Sequence, residues 1–325
     1  MKQKWWKRVL WGFVYVVTFI VVFLFSAVLK LMDNPLGDTY TVEWSESVGT
    51  VYKDLVYGEN PANKFDLYVP ADNTKESYGL VVYIHAGGFT SGDKADDEQM
   101  LKWLCSKGYV AAGINYTLFG EQNPEANVYT QSVEIRDSMP YVIAEAEKLG
   151  YSIDGMAIGG GSAGHTHAML YAYRDAASSP VPVRMTFGAV GPSSFYPEDW
   201  DVYGFDQDTE EAKAGAAALF SVMAGKEITA DMFGTAEYEE VIKDISAASW
   251  VNESSVPTVV AYGAHDRLQP FKASIRLANA LEKYNVEHEY IVCEHSGHGL
   301  QNDNKEYALY MEKVCEYLDM YLSVK

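Results

Sequence analysis

The stretch Ile153-Asp-Gly-Met-Ala-Ile-Gly-Gly-Gly-Ser-Ala-Gly164 runs from a short apolar segment into a cluster of glycines around one serine. Met156, Ala157 and Ile158 have the character of a buried strand, and the residues from Ala163 to about Arg174 are compatible with a helix. Gly160-Gly161-Ser162-Ala163-Gly164 then fits G-x-S-x-G, a sharp strand-to-helix turn that lifts a serine hydroxyl out of a sheet as a nucleophile. Such a turn forces the serine backbone into a strained conformation, so its neighbours must be small. The following helix would place its positive end and free amides beneath an oxyanion. A glycine-rich turn with an incidental serine has the same composition. The motif alone therefore decides little, and its surroundings have to be read.

Strand-like and helix-like segments alternate around it. Val48–Val56, Phe65–Val69, Leu80–Ile84, Tyr109–Asn115, Val183–Val190, Val256–Tyr262 and His288–Cys293 read as strands, while Lys94–Lys107, Val128–Leu149, Pro270–Tyr284 and Glu306–Leu322 read as helices. This alternation predicts an α/β fold, a doubly wound, mostly parallel sheet with helices on both faces. Residues from Tyr196 to Trp250 interrupt it with no clear strand and with thirteen acidic residues against three lysines. An insertion there would lie over the carboxyl edge of the sheet, where ligands bind, and is expected to be a helical cap. A solvated excursion explains the charge equally well.

Three further glycine- or histidine-bearing loops follow strands. His85-Ala-Gly-Gly-Phe89 closes the Leu80–Ile84 strand, and its paired glycines let backbone amides face a cleft. The expected oxyanion donors are the amides of Gly87, Gly88 and Ala163, with His85 a structural hydrogen-bonder for the loop. Asp266 follows the Val256–Tyr262 strand, and His298, flanked by Gly297 and Gly299, follows the last strand. The chain order Ser162, Asp266, His298, each after its own strand, is a hydrolase order. In this reading Asp266 fixes the imidazole tautomer and His298 takes the serine proton. His295, beside Glu294 and nearer the strand end, is expected to have a structural role.

The sequence resembles the α/β-hydrolases, close to the hormone-sensitive-lipase-like and acetyl-esterase branch of the carboxylesterases, over roughly residues 50–322. The resemblance rests on Tyr57-Gly58, Asp66-Leu-Tyr-Val-Pro70, His85–Phe89, Asn115-Tyr116, Gly160–Gly164, Asp266 and His298. Ala86 stands in place of the first glycine of the family's H-G-G-G, Thr117 where an arginine commonly follows the tyrosine, and His165 and His167 where glycine and an apolar residue are preferred. The resemblance implies a serine hydrolase that cleaves carboxylic esters through an acyl-enzyme, acting on a small-molecule ester and needing no cofactor. A peptidase or amidase of the same fold and a non-catalytic binding or adhesion module are the alternatives.

Charge and apolar runs bound the setting. The net charge is −20, and setting aside Lys2, Lys4, Lys7 and Arg8 leaves −24 on the rest of the chain. So acidic a body repels nucleic acid and anionic surfaces. Val9 to Leu29 contains no charged residue and carries Trp11, with Trp5 and Trp6 just before it. That length suits a membrane-spanning helix with tryptophans at the interface. The expected organisation is a basic cytoplasmic leader at 1–8, a transmembrane anchor at 9–31, a tether at 32–47, and an α/β-hydrolase domain at 48–325 with its cap at about 196–250. The basic leader predicts an N-terminus inside and a catalytic domain outside; a cleaved signal peptide is the alternative. Three cysteines, Cys105, Cys293 and Cys315, are too few for a disulfide framework, although Cys293 and Cys315 could pair. No metal-ligand spacing is present, and no metal is expected.

Overall fold

The most continuous apolar runs form strands buried on both faces, and they set the order of the sheet. In the structure, a computed structural model that describes residues 40–322, eight strands form one sheet. They are β1 (Gly49–Val56), β2 (Lys64–Pro70), β3 (Tyr78–Ile84), β4 (Val110–Ile114), β5 (Ile153–Gly161), β6 (Val183–Ala189), β7 (Thr258–Gly263) and β8 (His288–Cys293). Their spatial order is β1-β2-β4-β3-β5-β6-β7-β8. β1 pairs antiparallel with β2 and β2 antiparallel with β4, while β3 to β8 run parallel. Every residue of β4 and β7 is buried, so both faces of the sheet are covered.

The covering helices are α1 (Glu98–Ser106), α2 (Val128–Lys148), α3 (Ala163–Leu170), α6 (Phe271–Lys283) and α7 (Asn304–Tyr321). α1 packs on β2 and β4, α2 against α3, α3 on β5 and β6, and α7 on β6, β7 and β8. α2 begins at a capping box in which Asn127 and Thr130 exchange side-chain-to-amide bonds. Pro140 lies within α2 without ending it. The helix after β5 is shorter than its sequence suggests: α3 ends at Leu170, and Tyr171–Asp175 continues as a wider π-type turn.

From β3 the chain passes outward to β4 and then returns across β3 to β5, so the direction of winding reverses between β3 and β5. Loops leaving the carboxyl ends of those two strands diverge there and leave a crevice. Ile84 pairs with Gly160, which brings the ends of the two strands, and the loops at His85 and Ser162, side by side.

Between β6 and β7 the insertion folds as α4 (Glu210–Ala224), α5 (Ala236–Lys243) and several short 3₁₀ turns. It has an aromatic centre continuous with the main core. The Phe195 and Trp200 rings stack 5.4 Å apart, and Phe220 meets Trp200 edge-on at 5.3 Å. Ion pairs from Arg276 on α6 to Glu198 and Asp199, and from Lys272 to Asp201, fasten it to the sheet layer.

The expected leader, anchor and most of the tether fall at residues 1–39, outside the described residues. Among the described residues no helix is long and apolar enough to cross a membrane. Trp44, within the expected tether, packs edge-on against Tyr68 with ring centroids 6.2 Å apart. All three cysteines are free thiols, so no disulfide joins Cys293 to Cys315.

Candidate active site

Ser162 occupies the single position between β5 and α3 and has φ 53° and ψ −120°. A non-glycine residue in this region is strained and persists only where its surroundings hold it. Its amide donates to the Ala189 carbonyl at 2.9 Å, which ties the turn to β6. The turn also fits only because Gly164 lacks a side chain: a Cβ there would lie 1.9 Å from the Ile84 carbonyl oxygen.

Three residues far apart in the chain meet at this turn. His298 Nε2 lies 2.9 Å from Ser162 Oγ, and His298 Nδ1 lies 2.8 Å from Asp266 Oδ2. A carboxylate only accepts, so Nδ1 carries the proton, and Nε2 is left to accept the serine hydroxyl. Asp266 is 4% exposed. Its other oxygen, Oδ1, accepts from the amides of Leu268 and Gln269 at 2.8 and 3.0 Å. One oxygen therefore holds its own loop and the other holds the imidazole. His295, three residues before His298, turns the other way, with its Nδ1 2.9 Å from Asp303 and its side chain exposed.

The oxyanion loop is aimed through its carbonyls. In a planar trans peptide, N–H and C=O point in opposite directions, so a carbonyl held on one side directs the next amide to the other. His85 Nδ1 donates to the Ala86 carbonyl at 2.7 Å, which turns the Gly87 amide away from His85. The Gly87 carbonyl accepts from the amides of Thr90 and Ser91 and from Ser91 Oγ, which does the same for the Gly88 amide. Among the described residues, the amides of Gly87, Gly88 and Ala163 donate to no other backbone or side-chain group. Gly87 has φ 131°, and a Cβ on it would lie 1.9 Å from the Ser91 carbonyl oxygen. Ala86, in place of a first glycine, contributes the carbonyl that His85 holds.

These groups open into a cavity of about 510 Å³ that contains both Ser162 and His298. Trp200, Tyr203, Leu219 and Met223 from the insertion face Phe89 and Leu268 from the main domain, and no charged side chain lines it. A groove of about 670 Å³ around Lys243 and Trp250 is larger but reaches neither Ser162 nor His298. Among the described residues no cluster of three or more His, Cys, Asp or Glu could hold a metal ion.

The two histidines after the serine lie in the core behind it. His165 Nε2 meets the Tyr262 hydroxyl at 2.9 Å and Ser193 Oγ at 3.2 Å. His167 sits edge-on to Phe89 and Tyr116 with neither ring nitrogen hydrogen-bonded. Burial pushes both imidazoles down to about 3, so they are neutral. Thr117, at the position where arginine is common, gives its amide and hydroxyl to the Glu134 carboxylate at 2.6 and 2.7 Å.

The sequence profile of the BD-FAE family matches residues 65–281, well over half of the chain. The chain belongs to the BD-FAE family. Among curated proteins, this BD-FAE member is 22% identical over 257 residues to a probable isoprenylcysteine alpha-carbonyl methylesterase of Oryza sativa subsp. japonica, covering 76% of this chain and 58% of the rice protein. It is also 33% identical over 119 residues to the kynurenine formamidase of Salmo salar, covering 36% of this chain and 37% of the fish enzyme. The chain thus spans under two-thirds of the length of the curated relatives it matches. Among solved structures, esterase B of Lactobacillus rhamnosis aligns with a TM-score of 0.63 at 16% identity, covering 93% of each chain. A thermophilic esterase of Thermogutta terrifontis aligns with a TM-score of 0.64 at 19% identity, covering 86% of this chain and 95% of that one. These likenesses establish the α/β-hydrolase fold of this BD-FAE member.

Proposed function

We propose that this protein is a serine hydrolase that cleaves carboxylic esters of small, uncharged acyl groups through an acyl-enzyme. The observation that carries the reading is the Ser162–His298–Asp266 relay, which opens into an apolar cavity beside three unpartnered amides. Ser162 Oγ attacks the ester carbonyl carbon while His298 Nε2 takes its proton. The negative oxygen that forms is met by the amides of Gly87, Gly88 and Ala163, which are already oriented and need no rearrangement. The tetrahedral species collapses, His298 returns the proton to the departing alcohol, and the acyl group remains on Ser162. Water, deprotonated by the same imidazole, then releases the acid. Asp266 keeps Nδ1 protonated throughout. The cavity's uncharged lining and the acidic body both disfavour anionic substrates.

A second reading, cleavage of a formamide or other amide, has support in the match to a kynurenine formamidase. A panel of p-nitrophenyl esters, a formamide and aminoacyl anilides separates the two. Ester turnover lost on Ser162→Ala is the expected result. Near-normal turnover by that variant would refute the mechanism, and selective amide turnover would move the assignment to the second reading.

We also propose that the apolar run within residues 9–31 anchors the enzyme with its catalytic domain on the outer face of the membrane. Protease added to intact cells should then release an active soluble body. A body that is fully protected while the envelope is accessible would refute this orientation.

A further inference from the structure

Three consecutive residues of the oxyanion loop have positive φ: Gly87 at 131°, Gly88 at 59° and Phe89 at 68°. The glycines adopt such angles freely, but Phe89 does not. Something outside the loop must hold the strained residue, because the Thr90 and Ser91 amides that fix the Gly87 carbonyl, and through it the Gly88 amide, directly follow it.

Phe89 is 6% exposed, and its carbonyl accepts from Gln131 Nε2 at 2.8 Å and from the Phe119 amide at 3.0 Å. Gln131 lies on α2 with 0% exposure. Its Nε2 also donates to the Thr117 carbonyl at 2.9 Å, while its Oε1 has no partner. Both acceptors are carbonyls, so the amide nitrogen must face them. One turn along α2, Glu134 holds the amide and hydroxyl of the same Thr117. The two side chains fix the segment after β4 to α2, and Gln131, together with the Phe119 amide, extends that clasp to the loop at Phe89. A fully buried polar side chain with one end unpartnered lowers stability relative to an apolar residue of its shape. Its presence needs another cause, and the strained carbonyl it holds supplies one.

We infer that Gln131 is a positioning residue of the reaction: by holding the Phe89 carbonyl it keeps the Gly87 and Gly88 amides aimed at the developing oxyanion. The inference rests on the ester-hydrolase reading above. It assigns no contact between Gln131 and substrate. Its effect falls on the transition state, where the oxyanion exists, and leaves the ground state nearly untouched.

The test is Gln131→Met, which keeps the length of the side chain and removes both donors. On p-nitrophenyl acetate kcat should fall by roughly 10–100-fold with KM changed by less than about threefold, as expected for misdirected oxyanion donors. The inhibition constant of a methyl trifluoromethyl ketone, whose Ser162 adduct carries the same oxyanion, should rise by the same factor. The comparison variant is Ile143→Ala, a buried change on the same helix, which should lower Tm but leave kcat and that constant near wild type below the melting range. Gln131→Leu, which offers the two carbonyls no donor, is measured in the same way and decides the matter should Gln131→Met not fold. Folded Gln131 variants with unchanged kcat and ketone affinity would overturn the inference, as would an equal loss of kcat in Ile143→Ala. A wild-type protein that neither turns over esters nor labels Ser162 with a fluorophosphonate would overturn the underlying reading, and the inference with it.

Discussion

Replacing Asp266 by asparagine should abolish activity while leaving the fold in place, because the two oxygens of this carboxylate do different work. Oδ1 accepts from the Leu268 and Gln269 amides at 2.8 and 3.0 Å, and Oδ2 meets His298 Nδ1 at 2.8 Å. An asparagine keeps Oδ1 against the two amides, which can only donate, and so turns its NH₂ toward His298. The imidazole must then accept at Nδ1 and carry its proton on Nε2, facing Ser162, where it can no longer act as a base. The expected loss in kcat is on the order of 10⁴, or about 5.5 kcal/mol of barrier. The stability cost is one exchanged hydrogen bond, about 1 kcal/mol. Asp266→Ala differs: it orphans two amides in a nearly closed site, costing roughly 1–3 kcal/mol each. Its Tm should fall on the order of 10 °C, whereas that of Asp266→Asn should move by only a few degrees. The assay is kcat on p-nitrophenyl acetate at pH 8, with Tm and near-ultraviolet circular dichroism on both variants. An asparagine variant keeping more than about a tenth of wild-type kcat would refute the tautomer argument.

Two other expectations concern histidines. His298→Ala should lose about 10³–10⁶ in kcat, whereas His295→Ala, which loses only an exposed contact to Asp303, should stay within about threefold of wild type; the reverse result would assign the base to His295. His167 is held neutral by burial, with its pKa pushed down to about 3. The unfolded chain takes up a proton at this residue below about pH 6.5 while the folded one does not, so stability falls as pH drops from there toward 3. His167→Phe should flatten the fall of Tm between pH 6.5 and 4 and raise Tm at the acid end; an unchanged slope would place the acid sensitivity elsewhere.

Much of the frame was legible from residue order because the signals are local. A strand covered on both faces reads as an unbroken apolar run, so β3, β4 and β7 stand out before any folding is considered. Gly160–Gly164 is equally local, since the chain must turn within a few residues and only small ones fit. The helices of the insertion were less legible. α5 carries three acidic residues among its eight, and its burial depends on Tyr238 and Ile242 finding the Phe195 cluster.

Gln131 carried a signal that charge and hydropathy hide. It falls three residues after Val128 and four before Ile135, on the stripe that α2 buries. A polar residue at such a position must either find partners or destabilise the helix packing. Which partner it finds lies in the loop after β3, 42 residues back in the chain at Phe89, and no helical period reports that.

Sequence alone determined which segments become strands, which serine sits on a strained turn, and in what order Asp266 and His298 follow it. Each of these depends on neighbours within a few positions, through side-chain burial and backbone sterics. Only the tertiary structure decided that the return from β4 across β3 to β5 sets the His85 loop beside Ser162. It gave His298 and His295, already told apart by their flanking residues, their separate partners Asp266 and Asp303. It also decided that Trp200, Tyr203, Leu219 and Met223 close over the serine. Those outcomes follow from contacts between residues tens to more than a hundred positions apart, whose formation depends on the packing of the whole sheet and its helices.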